Sequence, residues 1–324
     1  MAVYTPVSRG DLARFIAGYD VGTPVRHEGI AQGVANTNYF VTATGGEFVL
    51  TLFEALSENE IPFFLDLTAF LAERDVPCAR PVADRSGRRL GRLCGRPAAL
   101  VERLPGRAVE RPQAVHCAAL GDVLARMHTA AREFPRARGN PFGPGWRRRT
   151  AAVLAPRLGA DDRRLLESEM DFQEGLDFAG LPAGIVHADL FRDNALFEDD
   201  RLCGVIDFYF ACTDVLLLDL AVCVNDWCVD GQGNIDVGLA SAMQRAYEAR
   251  RPLRPGERAA WPAVLRAAAL RFWLSRLHDR YFPRPAELAP ARDPGVFRRI
   301  LARRCADGDD PPARWPAPRR GAGA

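Results

Sequence analysis

The sequence predicts an α+β chain in which a strand-rich N-terminal third with one helix precedes a larger, mainly helical remainder. Three observations carry that expectation. Short runs of apolar and β-branched residues (His27–Ile30, Asn38–Thr42 and Phe48–Phe53) crowd the first third, and the last two flank a hairpin turn signal, Thr44-Gly45-Gly46-Glu47. After Leu104-Pro105-Gly106 the apolar residues recur at helical spacing instead. Among the later helices lies a strand–loop–strand segment, Ile185 to Phe208.

Element by element, Ile61 to Arg74 carries Phe64, Leu67, Phe70 and Leu71 on one helical face and ends at Asp75–Pro77. Val82-Ala83-Asp84 and Ala98–Glu102 read as two further strands, with a turn at Ser86-Gly87 between them. Pro112 opens a helix to about Ala130, with Val115, Leu120, Val123, Leu124 and Met127 on its apolar face. Asn140 to Gly145 is a loop, and helices are expected near 147–156, 161–179, 215–229, 236–250 and 258–282. The chain therefore divides into residues 1–103, residues 104–306 and a Pro- and Gly-rich tail, 307–324, expected to be disordered.

Composition narrows the class. The 324 residues are 48% hydrophobic, enough for a large core in one domain or two lobes. A net charge of +2 with 26% charged residues gives no reason to expect a nucleic-acid partner. No cationic start leads into an apolar run, and the most apolar piece, Val215 to Val224, is interrupted by Asp219, so neither a signal peptide nor a membrane span is expected. The eight cysteines form no Cys-x-x-Cys pair and read as buried free thiols in a reducing cytosol. A cytoplasmic protein with no nucleic-acid or membrane partner, as monomer or homodimer, is the expectation. All 43 basic residues are arginine, so no lysine ammonium is available to any site.

Two clusters carry chemistry. Ile185-Val186-His187-Ala188-Asp189-Leu190-Phe191-Arg192-Asp193-Asn194 and Val205-Ile206-Asp207-Phe208 each place a carboxylate at the end of an apolar strand, where a charge needs a partner. Magnesium takes oxygen ligands, one or two from protein and the rest from phosphates and water. Asn194 and Asp207 suit that need, which leaves Asp189 free to accept a proton from a hydroxyl.

His-x-Asp-x-x-x-x-Asn followed by a strand ending in Asp-Phe resembles the catalytic loop and metal-binding segment of the protein-kinase-like fold. His187-Ala188-Asp189 and Asp219-Leu220-Ala221 resemble its aminoglycoside-phosphotransferase and choline-kinase branch. Phe48 to Glu54, His187 to Asn194, Val224 to Cys228 and Arg271 to Arg276 are similar, more narrowly, to the homoserine kinases of that branch, and the likeness spans nearly all of the chain but its tail. The resemblance implies a two-lobe fold, with residues 1–103 as a nucleotide-binding lobe and 104–306 as a catalytic and substrate lobe. It implies ATP and Mg2+ as cofactors and phosphorylation of the L-homoserine side-chain hydroxyl, a step in threonine biosynthesis. It further implies Asp189 as catalytic base, Asn194 and Asp207 as magnesium ligands, and His187 and Asp219 as supports of the catalytic loop. Arg192, inside that loop, is a candidate phosphate contact and Asp193 a surface charge.

On the nucleotide side, the glycine-containing turn from Gly29 to Asn36 lies between two predicted strands, with Gly33 and Asn36 as its candidates. Thr51 occupies the position where the fold normally carries lysine, and Glu102 ends the last predicted strand of that part. Homoserine kinases of this type share the threonine, so magnesium or arginine must neutralise the phosphates. Glu60 thereby loses its expected partner and reads as a surface residue. For the acceptor, an ammonium asks for a carboxylate and a carboxylate for an arginine fork. Asp226 with Asn225 answers the first, Arg271 or Arg276 the second, and Trp227 and Trp273 are candidate walls.

Two alternatives stand beside this reading. The same fold handles choline and aminoglycosides, but a polycation asks for many carboxylates and choline for an aromatic cage. A catalytically dead nucleotide-binding module is supported by the missing lysine and opposed by the intact Asp189, Asn194 and Asp207. A homoserine kinase on an unrelated fold uses a Pro-x-x-x-Gly-Leu-Gly-Ser-Ser-Ala-type loop, and no such segment occurs here.

Overall fold

The structure, a computed structural model, describes residues 4–30, 36–283 and 292–308. Its N-terminal part is a five-stranded antiparallel sheet ordered β1-β2-β3-β5-β4: β1 Pro24–Gly29, β2 Asn36–Ala43, β3 Gly46–Phe53, β4 Gly91–Leu93 and β5 Arg96–Glu102. The Thr44-Gly45 turn sets the β2–β3 register, with Ala43 opposite Gly46 and Asn38 opposite Thr51. Alternate residues of β2 and β3 (Tyr39, Val41, Phe48, Leu50, Leu52) point to one face and pack with Leu12 and Ile16 of α1 (Arg9–Ile16). Helix α2 (Ile61–Ala72) links this part to the rest, burying Phe63, Phe64, Leu67 and Leu71 in the main core.

The remainder is mainly helical: α3 (Ala114–Ala130), α4 (Pro144–Leu154), α5 (Ala160–Glu174), α6 (Leu217–Trp227), α7 (Val237–Arg250), α8 (Pro255–Tyr281) and α9 (Pro294–Asp307). Two small antiparallel pairs lie among them, β6 (Ala183–Val186) with β9 (Cys212–Val215) and β7 (Ala195–Glu198) with β8 (Arg201–Val205). Helices α3 and α7 approach so closely at Gly121 that a Cβ there would sit 2.2 Å from the Met243 carbonyl oxygen. The connection out of the sheet is pinned as well. Arg107 and Phe197 exchange backbone hydrogen bonds at 2.9 and 2.8 Å. Gly106 beside them has φ +92°, and a Cβ would meet the Phe197 carbonyl oxygen at 2.7 Å.

Several expectations are corrected. Val82-Ala83-Asp84 is not a regular strand; Pro81 and Asp84 make isolated bridges to Val101 and Tyr19, and the edge strand is the short β4. Helix α1 was not expected. It is only eight residues long, and its start is fixed by the Ser8 side chain accepting from the Asp11 N–H. Helix α9, also unexpected, begins at Pro294 in a Pro- and Arg-rich stretch and reaches Asp307, the first residue of the supposed tail; residues from 309 lie outside those described. The predicted helix 161–179 stops at Glu174. All eight cysteines are free, but Cys94 is exposed and Cys203 and Cys305 are half-buried.

Candidate active site

Strand β6 ends at Val186, and the chain then makes a left-handed turn at Ala188, φ 64°, before Asp189. A non-glycine residue holds that conformation only against a steric cost. The carboxylate of Asp219, in the first turn of α6 and fully buried, offsets it by accepting the N–H groups of His187 at 2.6 Å and Ala188 at 2.7 Å. His128 Nε2 lies 3.1 Å from the same carboxylate, and its Nδ1 lies 2.8 Å from the Tyr247 hydroxyl. The loop backbone is thus fixed by a buried polar chain running from α7 through α3 to α6.

His187 is also fully buried. Its Nε2 donates to the Ile206 carbonyl at 3.0 Å, and its Nδ1 accepts from the Asp189 N–H at 3.3 Å. Burial holds its pKa below the ordinary histidine value, which agrees with a neutral ring giving one bond and taking one. His187 therefore joins the two clusters read in the sequence. A second joint is the Ile206 N–H bonded to the Asn194 carbonyl at 3.0 Å.

Those joints bring Asp189, Asn194 and Asp207 together. The side-chain N–H2 of Asn194 donates to the Asp189 carbonyl at 2.7 Å and to Asp189 Oδ2 at 3.3 Å, which turns its Oδ1 away as the atom free for a cation. Asp207 has φ 64°, the second left-handed non-glycine residue of the site, and the residue keeps solvent contact although protein surrounds it. Burial pushes its pKa up to about 6, with Asp193 adding to the effect. One carboxylate and one amide oxygen are hard donors suited to a magnesium ion that keeps phosphate and water for its other positions.

Asp189 has a cationic neighbour. Arg271 Nη1 of α8 lies 3.7 Å from Asp189 Oδ1, and both side chains are largely buried. The Arg271 guanidinium sits over the rings of Phe272, Phe142 and Phe210 at 3.7, 4.3 and 5.3 Å. Burial pushes the Asp189 pKa up to about 7 although Arg271 pulls against it, while Asp207 adds to the rise.

The other predicted residues separate into groups. Asp226 accepts from the Arg192 N–H at 2.8 Å and from Arg192 Nε at 3.3 Å, and Arg192 Nη1 donates to the Glu110 carbonyl at 3.1 Å. Both are therefore partly spent on each other. Asn225 is turned away from the site: it is fully buried, its Nδ2 donates to the Leu265 carbonyl at 2.9 Å, and its Oδ1 accepts from Arg304 Nε at 3.2 Å. Adjacent residues of a helix point about 100° apart, and here Asn225 faces Leu265 and Arg304 while Asp226 faces the loop at Arg192. Arg276 donates to the Asp293 carbonyl at 3.1 Å and lies over the Phe297 ring. Trp227 and Trp273 are core residues; Trp227 Nε1 donates to the Leu190 carbonyl at 3.1 Å.

On the sheet side, Thr51 is buried and its hydroxyl donates to Asn38 Oδ1 at 2.7 Å, with the Tyr209 phenol close beside it. Its hydroxyl is thereby engaged within the protein. Asn36 is buried opposite Phe53, Glu102 is exposed at the end of β5, and Gly33 lies outside the described residues. Glu60 is not a lone surface charge: it pairs with Arg138 at 3.1 Å and accepts from the Ser57 hydroxyl at 2.7 Å. Arg138 had no periodic or motif signal, and neither did His128. Tyr209 directly follows Asp207-Phe208, and that adjacency was the available clue.

Known proteins resemble this chain over most of its length. The family model described as "Phosphotransferase enzyme family" matches residues 26–253. The homoserine kinase of Methylobacillus flagellatus is 51% identical over 301 residues, covering 93% of this chain and 94% of that protein. The homoserine kinase of Burkholderia pseudomallei is 47% identical over 319 residues, covering 94% and 96%. Among solved structures, an amicoumacin kinase in complex with AMP-PNP and Ca2+ superposes with a TM-score of 0.68 at 16% identity, covering 91% of each chain. That likeness establishes the two-lobe kinase-like fold, an antiparallel sheet followed by a mainly helical part. On the family match and the identity to these relatives, the chain belongs to the phosphotransferase enzyme family and, within it, groups with the homoserine kinases.

Proposed function

We propose that this protein transfers the γ-phosphoryl group of ATP to the side-chain hydroxyl of L-homoserine, giving O-phospho-L-homoserine and ADP, the step that serves threonine biosynthesis. The observation that carries the acceptor is the buried Arg271 guanidinium 3.7 Å from the Asp189 carboxylate. A general base and an anion-binding cation side by side suit a small acceptor bearing both a hydroxyl and a carboxylate. The names of the relatives, at 47–51% identity, support the same acceptor.

In this reading Asp189 accepts the hydroxyl proton as the oxygen attacks the γ-phosphorus in line. Asn194 Oδ1 and Asp207 would hold a magnesium ion, which would supply positive charge to the phosphate oxygens. Arg271 takes the acceptor carboxylate and the unshared oxygen of Asp226 takes its ammonium. His187 and Asp219 hold the loop, and Arg192 acts through Asp226. Asn36 and Glu102 border the nucleotide, with residues 1–103 as its lobe and 104–306 as the catalytic lobe. The free cysteines fit a reducing compartment such as the cytoplasm.

A choline-type acceptor is disfavoured because the ring faces that would cage it are taken by Arg271. An aminoglycoside would bring positive charge to a buried arginine. The test is a coupled ADP-release assay with L-homoserine, serine, choline and an aminoglycoside, followed by mass spectrometry of the product. Turnover on homoserine is expected; turnover on an amine sugar with none on homoserine would overturn the acceptor.

A further inference from the structure

We propose that Arg292 supplies the positive charge on the transferred phosphoryl group, the cation that a chain without lysine must draw from arginine. The inference rests on the reading of Asp189, Asn194 and Asp207 above. Four arginines border these residues, and three are held by a backbone carbonyl or by several aromatic rings. Arg192 is bonded to Asp226 and the Glu110 carbonyl. Arg271 lies under aromatic rings beside Asp189. Arg276 donates to the Asp293 carbonyl and stacks on Phe297.

Arg292 differs. It stands just before α9, its side chain is 49% exposed, and it pairs with Asp193, the residue between Arg192 and Asn194 in the catalytic loop. Its charge acts on Asp189, on Asp207 and on Asp226 as well. A cation felt by both the base and the metal carboxylate borders the gap between them. In that reading the γ-phosphoryl group would occupy this gap, between a hydroxyl at Asp189 and the oxygen donors Asn194 and Asp207 that would hold a magnesium ion. Asp193 then acts as a resting partner, a carboxylate standing where phosphoryl oxygens compete for the same guanidinium.

The step balances without a further reactant. The acceptor oxygen forms its bond to the γ-phosphorus, and the bond from phosphorus to the β,γ-bridging oxygen breaks. That electron pair leaves with ADP, and the hydroxyl proton goes to Asp189. Negative charge on the equatorial oxygens and the leaving oxygen is where a guanidinium helps more in the transition state than in the ground state.

The test compares kcat and both KM values for the wild type, Arg292→Lys and Arg292→Ala. Loss of one such donor is expected to lower kcat by about 10²–10³-fold. Both KM values should stay within a few-fold, and the lysine variant should regain part of the rate. Because the side chain is half-exposed, a thermal melt should show Arg292→Ala folded as the wild type is. An unchanged kcat, or a raised acceptor KM with kcat preserved, would overturn the proposal; the latter would make Arg292 an acceptor anchor. If the wild type turned over another acceptor and not homoserine, the acceptor reading would fail. The Arg292 comparison would then be made on that other acceptor, so the two failures are distinguishable.

Discussion

Arg271 and Asp189 face each other across 3.7 Å in largely buried surroundings, a cation and a carboxylate too far apart for a short hydrogen bond and too close to titrate independently. Burial pushes Asp189 up to about 7 and Arg271 resists it. A base must be deprotonated to act, so kcat/KM is expected to fall as pH drops through about 7 and to level off above it. Arg271→Gln removes the opposing charge and should move that acid limb to higher pH. A pH profile of kcat/KM for both proteins checks this; an unmoved limb would separate Arg271 from the base.

The same arginine has a second expected effect. If its free N–H groups take the acceptor carboxylate, Arg271→Ala costs a charge-assisted pair of about 1.5–3 kcal/mol, roughly 10–150-fold in acceptor KM. Arg271→Lys should recover little, since an ammonium lacks the planar fork and the ring stacking. Steady-state kinetics at saturating ATP measure both.

Asp189→Ala should abolish turnover and leave the fold intact, because the residue lines the site and carries none of the core. Asp207→Ala should instead weaken magnesium–nucleotide binding, read by titrating the protein with Mg-ATP. Retained phosphorylation by the first variant would remove Asp189 as base, and an unchanged titration of the second would remove Asp207 as a ligand.

Asp219 and Asn225 separate scaffold from site. Asp219→Ala leaves two backbone N–H groups and His128 without their buried acceptor, so a loss of about 3–5 kcal/mol in stability is expected, with activity falling alongside. Asn225→Ala frees the Leu265 carbonyl and Arg304 and should cost stability by about 1–3 kcal/mol while the acceptor KM holds steady. Denaturant midpoints beside kinetics tell the two apart.

How far the sequence could be read depended on range. The β2–β3 hairpin and the cores of α3 and α8 were legible because period and turn residues are local. Asp189, Asn194 and Asp207 were legible because strand-end carboxylates at fixed spacing announce themselves. Asn225 was misjudged because its neighbour Asp226 faces the loop, and which side of α6 faces α8 is decided by tertiary packing. His128 and Arg138 reach Asp219 and Glu60 across 91 and 78 residues, a separation no local pattern records. Helix α1 is set by one serine cap, a signal too small to see before the fold is known.

Thr51 gives the last prediction. Restoring lysine there by Thr51→Lys looks like a repair of the site, but the position is only 4% exposed, bonded to Asn38 and close beside Tyr209. The Tyr209 ring, 5.2 Å from Phe53 and 5.8 Å from Phe64, fills the space a longer side chain needs. The carboxylate at the start of α2, Glu60, is already held by Arg138 and Ser57. Overpacking and an unpaired ammonium should therefore cost about 1–3 kcal/mol or more, with no fall in the KM for ATP. A variant that melts at the wild-type temperature and binds ATP more tightly would show that the pocket accepts a lysine and that its loss is not compensated by packing.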